Sequence, residues 1–180
     1  MPDPWTTAWE EAEASAPPGV MIYSTLELQH PAFLQGAPPV EVPIRVVTGV
    51  DVDTSFGIEL GAAFNPGETV VFQAVPFYSE RPEFSEGKVP TCQISIDNVG
   101  REIMKYLDAA VQIKSDLTVV YREYRSDDLT VPCYGPIQFI MKKVKIDGPT
   151  VVGTAQIDDL TNRRFPFKTY TIREFPGLLA

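Results

Sequence analysis

The reactive side chains of this sequence are few and scattered. There is one histidine, His30, followed directly by Pro31, and there are two cysteines, Cys92 and Cys133, with no CxxC pair. A histidine acting as a base needs a nucleophile on one ring nitrogen and an orienting carboxylate on the other. No local pattern around His30 supplies them, so a turn or packing role is expected. Both cysteines fall in or beside strand-like runs and read as free, buried thiols rather than a disulfide or thiol nucleophile. Asp51-Val52-Asp53-Thr54-Ser55 begins like a calcium loop. It then fails, because Phe56 stands where the turn glycine belongs and Ala62 where the bidentate acid belongs. The acidic doublets Asp127-Asp128 and Asp158-Asp159 read as turns or solvated strand ends. With no GxSxG, P-loop, HExxH or GxGxxG run either, the expectation is a non-enzymatic chain with no catalytic residue, cofactor or metal.

Charge narrows the partners. The chain carries 15 basic and 24 acidic residues, a net charge of −9. Nucleic-acid binding relies on basic stripes that displace phosphate counterions, and none is present. An anionic membrane surface is disfavoured for the same reason. The opening Met1-Pro2-Asp3-Pro4-Trp5 lacks the basic and apolar regions of a signal peptide, and no apolar run approaches bilayer length. Self-association must therefore come from shape and apolar contact, against mutual repulsion.

The elements expected to carry these residues are mostly strands. Val20–Leu28, Val40–Val47, Glu68–Phe77, Thr91–Ile96, Leu117–Arg125, Ile137–Ile146 and Pro149–Ile157 are rich in β-branched and aromatic residues and end at Gly, Pro or Asp. Asp147-Gly148 predicts a hairpin turn. The apolar parity changes between Met141 and Val144, which predicts a β-bulge near Lys142-Lys143. One helix is expected over 98–111, with Val99, Ile103, Tyr106, Leu107, Ala110 and Val111 on its apolar stripe. A short acidic helix is expected within 1–18, with Trp5, Ala8, Trp9 and Ala12 on one face, docking on its own core or on a neighbour. The chain reads as one domain over 1–180, with the β-domain at 19–180. The class is mainly β (α+β), a β-sandwich or split β-barrel of seven or eight strands with one packed helix.

Seventeen prolines are spread along the chain and read as rigid connections between strands. Three connections are long: His30 to Pro43, Phe77 to Pro90 and Ser126 to Pro136. Long connections in a compact domain are usually functional, and these carry Phe33, Phe77, Tyr78, Arg81, Phe84 and Tyr134. Aromatics, arginine and proline together suit a contact surface, so these six are the candidate subunit-interface residues.

Several runs in order carry a resemblance. Thr25-Leu26-Glu27-Leu28-Gln29-His30-Pro31-Ala32-Phe33, Ile94-Ser95-Ile96-Asp97-Asn98-Val99, Tyr121-Arg122-Glu123-Tyr124, Asn162-Arg163-Arg164-Phe165-Pro166 and Phe175-Pro176-Gly177-Leu178 resemble a family of bacteriophage tail proteins long described as a domain of unknown function. A more distant similarity extends to minor tail proteins of the baseplate hub. It rests on a strand ending in Asp97-Asn98-Val99, the following helix, the strand Leu117–Arg125, and a late strand pair before Arg-Phe-Pro. The longer hub proteins have a cysteine-rich iron–sulfur segment with no counterpart here, so no cluster is implied.

The resemblance implies a structural component of the tail tip of a long-tailed phage, assembled in the host cytoplasm and located in the virion. Its implied partners are copies of itself in a ring, with threefold order slightly favoured over sixfold. The others are the tail tube or distal ring, the tape measure, a central fibre and a peptidase-like protein. The alternatives are a sixfold distal tail ring protein and a tail-assembly chaperone. A cell-wall hydrolase is disfavoured because the sequence withholds a His or Cys constellation.

Overall fold

The computed structural model describes residues 19–79, 91–97, 101–113, 115–147 and 150–157. The expected N-terminal helix lies outside them. The fold is mainly β, as the patterning predicts. The strands are β1 (Ile22–Gln29), β2 (Leu34–Gln35), β3 (Val40–Glu41), β4 (Ile44–Thr48), β5 (Thr54–Gly57), β6 (Thr69–Ala74), β7 (Phe77–Ser79), β8 (Thr91–Ile96), β9 (Leu117–Arg125), β10 (Tyr134–Asp147) and β11 (Thr150–Gln156). Helix α1 spans Arg101–Gln112. β2 and β3 form a small separate arm, and the other nine strands form one mixed sheet in the order β5-β6-β4-β1-β9-β10-β11-β8-β7.

The strand count exceeds the expected seven or eight for a local reason. Two expected strands are each divided at a proline, Val40–Val47 at Pro43 and Glu68–Phe77 at Pro76. Proline has no N–H for a ladder and interrupts pairing. β5 grows out of the run that resembled a calcium loop. Its Thr54–Gly57 pairs antiparallel with Phe72–Thr69, and the Asp53 carboxylate accepts the Ala74 N–H at 2.9 Å.

The break at Pro76 shapes the whole sheet. β6 and β7 stand near opposite ends of the strand order, yet only Val75 and Pro76 separate them. Three Cα steps span at most about 11 Å, so the sheet must roll until its two ends approach. It does not close into a barrel. Its halves face each other across one core, a sandwich made from a single sheet. Leu26, Leu28, Val46, Phe77, Ile94, Val119, Phe139 and Val151 all share that core, with Met104, Tyr106 and Ala110 of α1 packed against it. Alternation sends the other side chains outward. On the outer face Val47, Phe56, Ile58, Phe72 and Tyr124 form a second cluster beneath the β5–β6 hairpin. The central strands are thus buried on both sides.

The β10–β11 hairpin forms as expected, and its register shifts between Lys142 and Lys145, where the bulge was predicted. Asp147 pairs with Thr150 as the last rung, and Gly148 and Pro149 lie outside the described residues. A second irregularity between Tyr134 and Ile137 contains Gly135 at φ 88°, where a Cβ would stand 2.7 Å from the Tyr121 carbonyl oxygen. Only glycine meets both demands.

A buried charge network and the candidate assembly surface

Polar chemistry concentrates on the outer face, where β1, β4 and β9 lie side by side. Register places Glu27 opposite Arg45 on one side and Val120 on the other, with Arg122 one step along the same face. Glu27 is fully buried and Arg122 is 1% exposed. Arg45 Nε donates to Glu27 Oε2 at 3.0 Å, Arg122 meets the same oxygen at 3.4 Å, and Gln29 Nε2 donates to Oε1 at 2.6 Å. From the strap 58–68 between β5 and β6, Glu59 receives a bidentate pair from Arg122, at 2.7 and 2.8 Å. Asn65, at φ 52°, ties the strap's far end by accepting from Arg45 at 2.9 Å and donating to Glu68 at 2.7 Å.

Two guanidiniums and two carboxylates thus form a neutral quartet in the linear order Arg45, Glu27, Arg122, Glu59. Burial pushes the Glu59 carboxyl up, but the Arg122 hydrogen bonds and charge outweigh it and hold the group below the usual glutamate value. Burial opposes charge on Arg122 too, and Glu59 and Glu27 more than compensate. Tyr124 lies beside them, and burial pushes its hydroxyl well up. That hydroxyl donates to the Gly57 carbonyl at 2.8 Å, fixing β5 to β9. Glu59 and Arg122 each hold the other in its charged form.

The other reactive groups are also bound into structure. His30 is buried; its Nδ1 accepts the Ala32 N–H at 3.0 Å, and Nε2 faces the Ser115 carbonyl at 3.3 Å. That is the turn role read from its proline neighbour. Cys92 and Cys133 are buried, and the Cys133 thiol donates to the Glu123 carbonyl at 3.3 Å. Buried Glu123 accepts from the Tyr121 hydroxyl. Asp127 pairs with Arg125, and Asp128 caps Thr130, so this doublet is a turn. Among the described residues no three of His, Cys, Asp and Glu are grouped to hold a metal ion, and no helix is long and apolar enough to cross a membrane. Asp158-Asp159 lies outside them.

The six expected interface residues divide. Phe33 and Tyr134 are at most 1% exposed and Phe77 is 8% exposed, all in the main core. The reading of them as loop contact aromatics is corrected, because their backbones lie in or against strands and their rings fill the roll. Phe33 stacks edge-on against Tyr106 of α1 at 5.8 Å, and Tyr134 is paired in β10. Tyr78 is 64% exposed on β7, the last strand of the sheet. Arg81 and Phe84 lie outside the described residues.

Exposed apolar side chains occur elsewhere: Leu34 and Val40 on the β2–β3 arm, Val71 on β6, and Leu60 at the crest of the strap. Two small clefts open beside them. One, of about 180 Å³, lies between the arm, β4, β6 and Tyr106. The other, of about 160 Å³, lies between the strap and β9–β10, with Glu59 and Arg122 on its wall.

The charge network was not singled out from sequence. The available signal was the presence of Glu27, Arg122 and Glu123 inside otherwise apolar strand runs, since charges at such positions are buried only when paired. Nothing in sequence joins Glu59 to Arg122, 63 positions away.

No curated protein matches the chain. Residues 8–170 match a family model described as Domain of unknown function (DUF1833), and the chain belongs to that family.

Proposed function

We propose that this protein is a non-enzymatic structural subunit of a long-tailed phage's tail tip, acting by assembly with copies of itself and neighbouring tail proteins. The ordered sequence runs described above are the source of the phage assignment. The observation that carries the non-enzymatic part is the state of the polar groups. His30, Cys133, Asp127, Asp128, Glu27 and Glu59 are each tied into a turn, a strand pair or the quartet. Beside the β2–β3 arm and the strap the surface opens into clefts of about 180 and 160 Å³. Clefts of that size suit side chains from a neighbour. A rolled sheet locked by buried ion pairs suits a part that must keep its shape while bearing load between partners.

Mass spectrometry of purified phage particles, with a density map of the tail tip, tests the reading. The expected result is the chain in the particle as a ring, with threefold order ahead of sixfold. Its presence during assembly and absence from finished particles would instead identify a chaperone and refute the structural role.

A further inference from the structure

The strap 58–68 is fixed firmly at its ends and lightly between them. At the start, Gly57 is held from two sides: its N–H donates to the Leu129 carbonyl at 2.9 Å, and its own carbonyl accepts the Tyr124 hydroxyl at 2.8 Å. At the return, Thr69 is paired in the β5–β6 ladder. The neck is closed by the Ile58 N–H on the Glu68 carbonyl at 2.9 Å and the Gly67 N–H on the Ile58 carbonyl at 3.1 Å. Beyond the neck the backbone bonds only within the strap, as from Ala62 to Glu59 at 3.2 Å; among the described residues no backbone hydrogen bond joins 59–66 to the sheet. The ties across are made by side chains, Glu59 on Arg122 and Asn65 on Arg45. Within 59–66, Ala62 alone packs against the outer apolar cluster.

Beneath it lie side chains that the strap keeps from water. Arg122 is 1% and Val120 7% exposed, and the 160 Å³ cleft at the margin has Gly61 and Ala62 of the strap on one wall and both of these residues on the other. The crest meets little that resists movement. Leu60 is 87% exposed, and a Cβ at Gly61 would find nothing within 4 Å. Segments with few buried apolar contacts are the ones that open locally, ahead of the sheet.

We infer that the strap 58–68 is a latch released by acid: protonation of Glu59 lets it lift from β9 as a unit, uncovering Arg122 and Val120 while the sheet stays folded. The charged and titratable groups around that carboxyl are Arg122 and Tyr124 on β9, Glu27 on β1, Arg45 on β4 and Glu68 at the strap's return; β10 presents the neutral Gln138. Arg122 bonds Glu59 directly and also meets Glu27, so it keeps a counter-charge when the strap lifts. A charge-assisted bond is about twice as strong as a neutral one, so protonation weakens the main tie and leaves the ends intact. The Glu59 carboxyl is held below its ordinary value of 4.5. Closure is therefore fully favoured above pH 4.5 and weakens as pH falls through the folded-state pKa.

Hydrogen exchange read by mass spectrometry on the full-length protein, with rates corrected for the intrinsic effect of pH, tests the latch. Once lifted into water Glu59 regains the ordinary value of 4.5, so going from pH 7 to about pH 3.5 raises the open fraction by at most about tenfold. The expected result is a fall in protection of about three- to tenfold in peptides covering 58–68, with β1 and β9 unchanged. Glu59→Gln is expected to lower strap protection roughly tenfold at pH 7 and to abolish the pH step. Asn65→Ala removes the other tie and leaves the carboxylate, so it is expected to lower protection at both pH values and keep the step. Four results would each overturn the latch: strap and β9 losing protection together, a strap already unprotected at pH 7, a Glu59→Gln strap as protected as the parent's, or a pH step that vanishes in Asn65→Ala.

Discussion

Replacing Arg122 by Met is the sharpest probe of the buried quartet. The substitution keeps most of the side chain's length and removes its charge. Glu27, fully buried, then keeps Arg45 and Gln29 but loses Arg122, and Glu59 loses both of its close bonds. Breaking a buried ion pair from one side costs about 3–5 kcal/mol, because the remaining charge is left uncompensated. Glu59 is 22% exposed and can turn to water, so the expected loss sits near the lower end, ~3 kcal/mol. In a chain of this size that corresponds to a fall in Tm of roughly 6–12 °C. Glu59→Gln should cost less, about 1–2 kcal/mol, since it keeps an acceptor and only weakens charge-assisted bonds. Urea denaturation followed by circular dichroism measures both, and the double variant gives their coupling. An Arg122→Met protein within 0.5 kcal/mol of the parent would refute the quartet as a source of stability.

The same pair sets a pH dependence. The folded-state pKa of Glu59 lies below its ordinary value of 4.5, so the unfolded chain binds the proton more tightly. The stability this contributes is fully present above pH 4.5 and is lost as pH falls through the folded-state pKa. Glu59→Gln should flatten the acid limb of the stability curve, and an unchanged limb would place the titration elsewhere.

Gly57→Ala should destabilise by about 1–3 kcal/mol, because a Cβ there would stand 2.1 Å from the Thr130 carbonyl oxygen; Gly61→Ala, with nothing within 4 Å of the added carbon, is the control in the same urea series. Tyr124→Phe should cost roughly 1–2 kcal/mol by leaving the Gly57 carbonyl without its buried donor, and a neutral result would show that water or another group replaces it.

Local patterning was enough for much of this protein. Period-two runs, the stripe of α1, the parity change at Lys142–Lys145 and the proline beside His30 are short-range signals, and each led to the element or turn observed. Their physical basis is local: a side chain's facing and a proline's missing donor are set within a few residues. Prolines also divided two runs whose composition read as continuous strands, and there propensity alone was insufficient. Whether an aromatic in a connection lies inside or outside depends on what folds over it. Phe33, Phe77 and Tyr134 became core because the sheet rolls, and the roll follows from β6 and β7 being neighbours in sequence but distant in strand order. The quartet is a still clearer case. Glu27, Arg45, Glu59 and Arg122 come from three strands and a strap, and their charges are tolerable without water only because the tertiary fold delivers all four together. The residues themselves set the charge balance and the want of catalytic motifs; tertiary structure alone decided which charges meet, since burial and pairing are properties of the packed sheet.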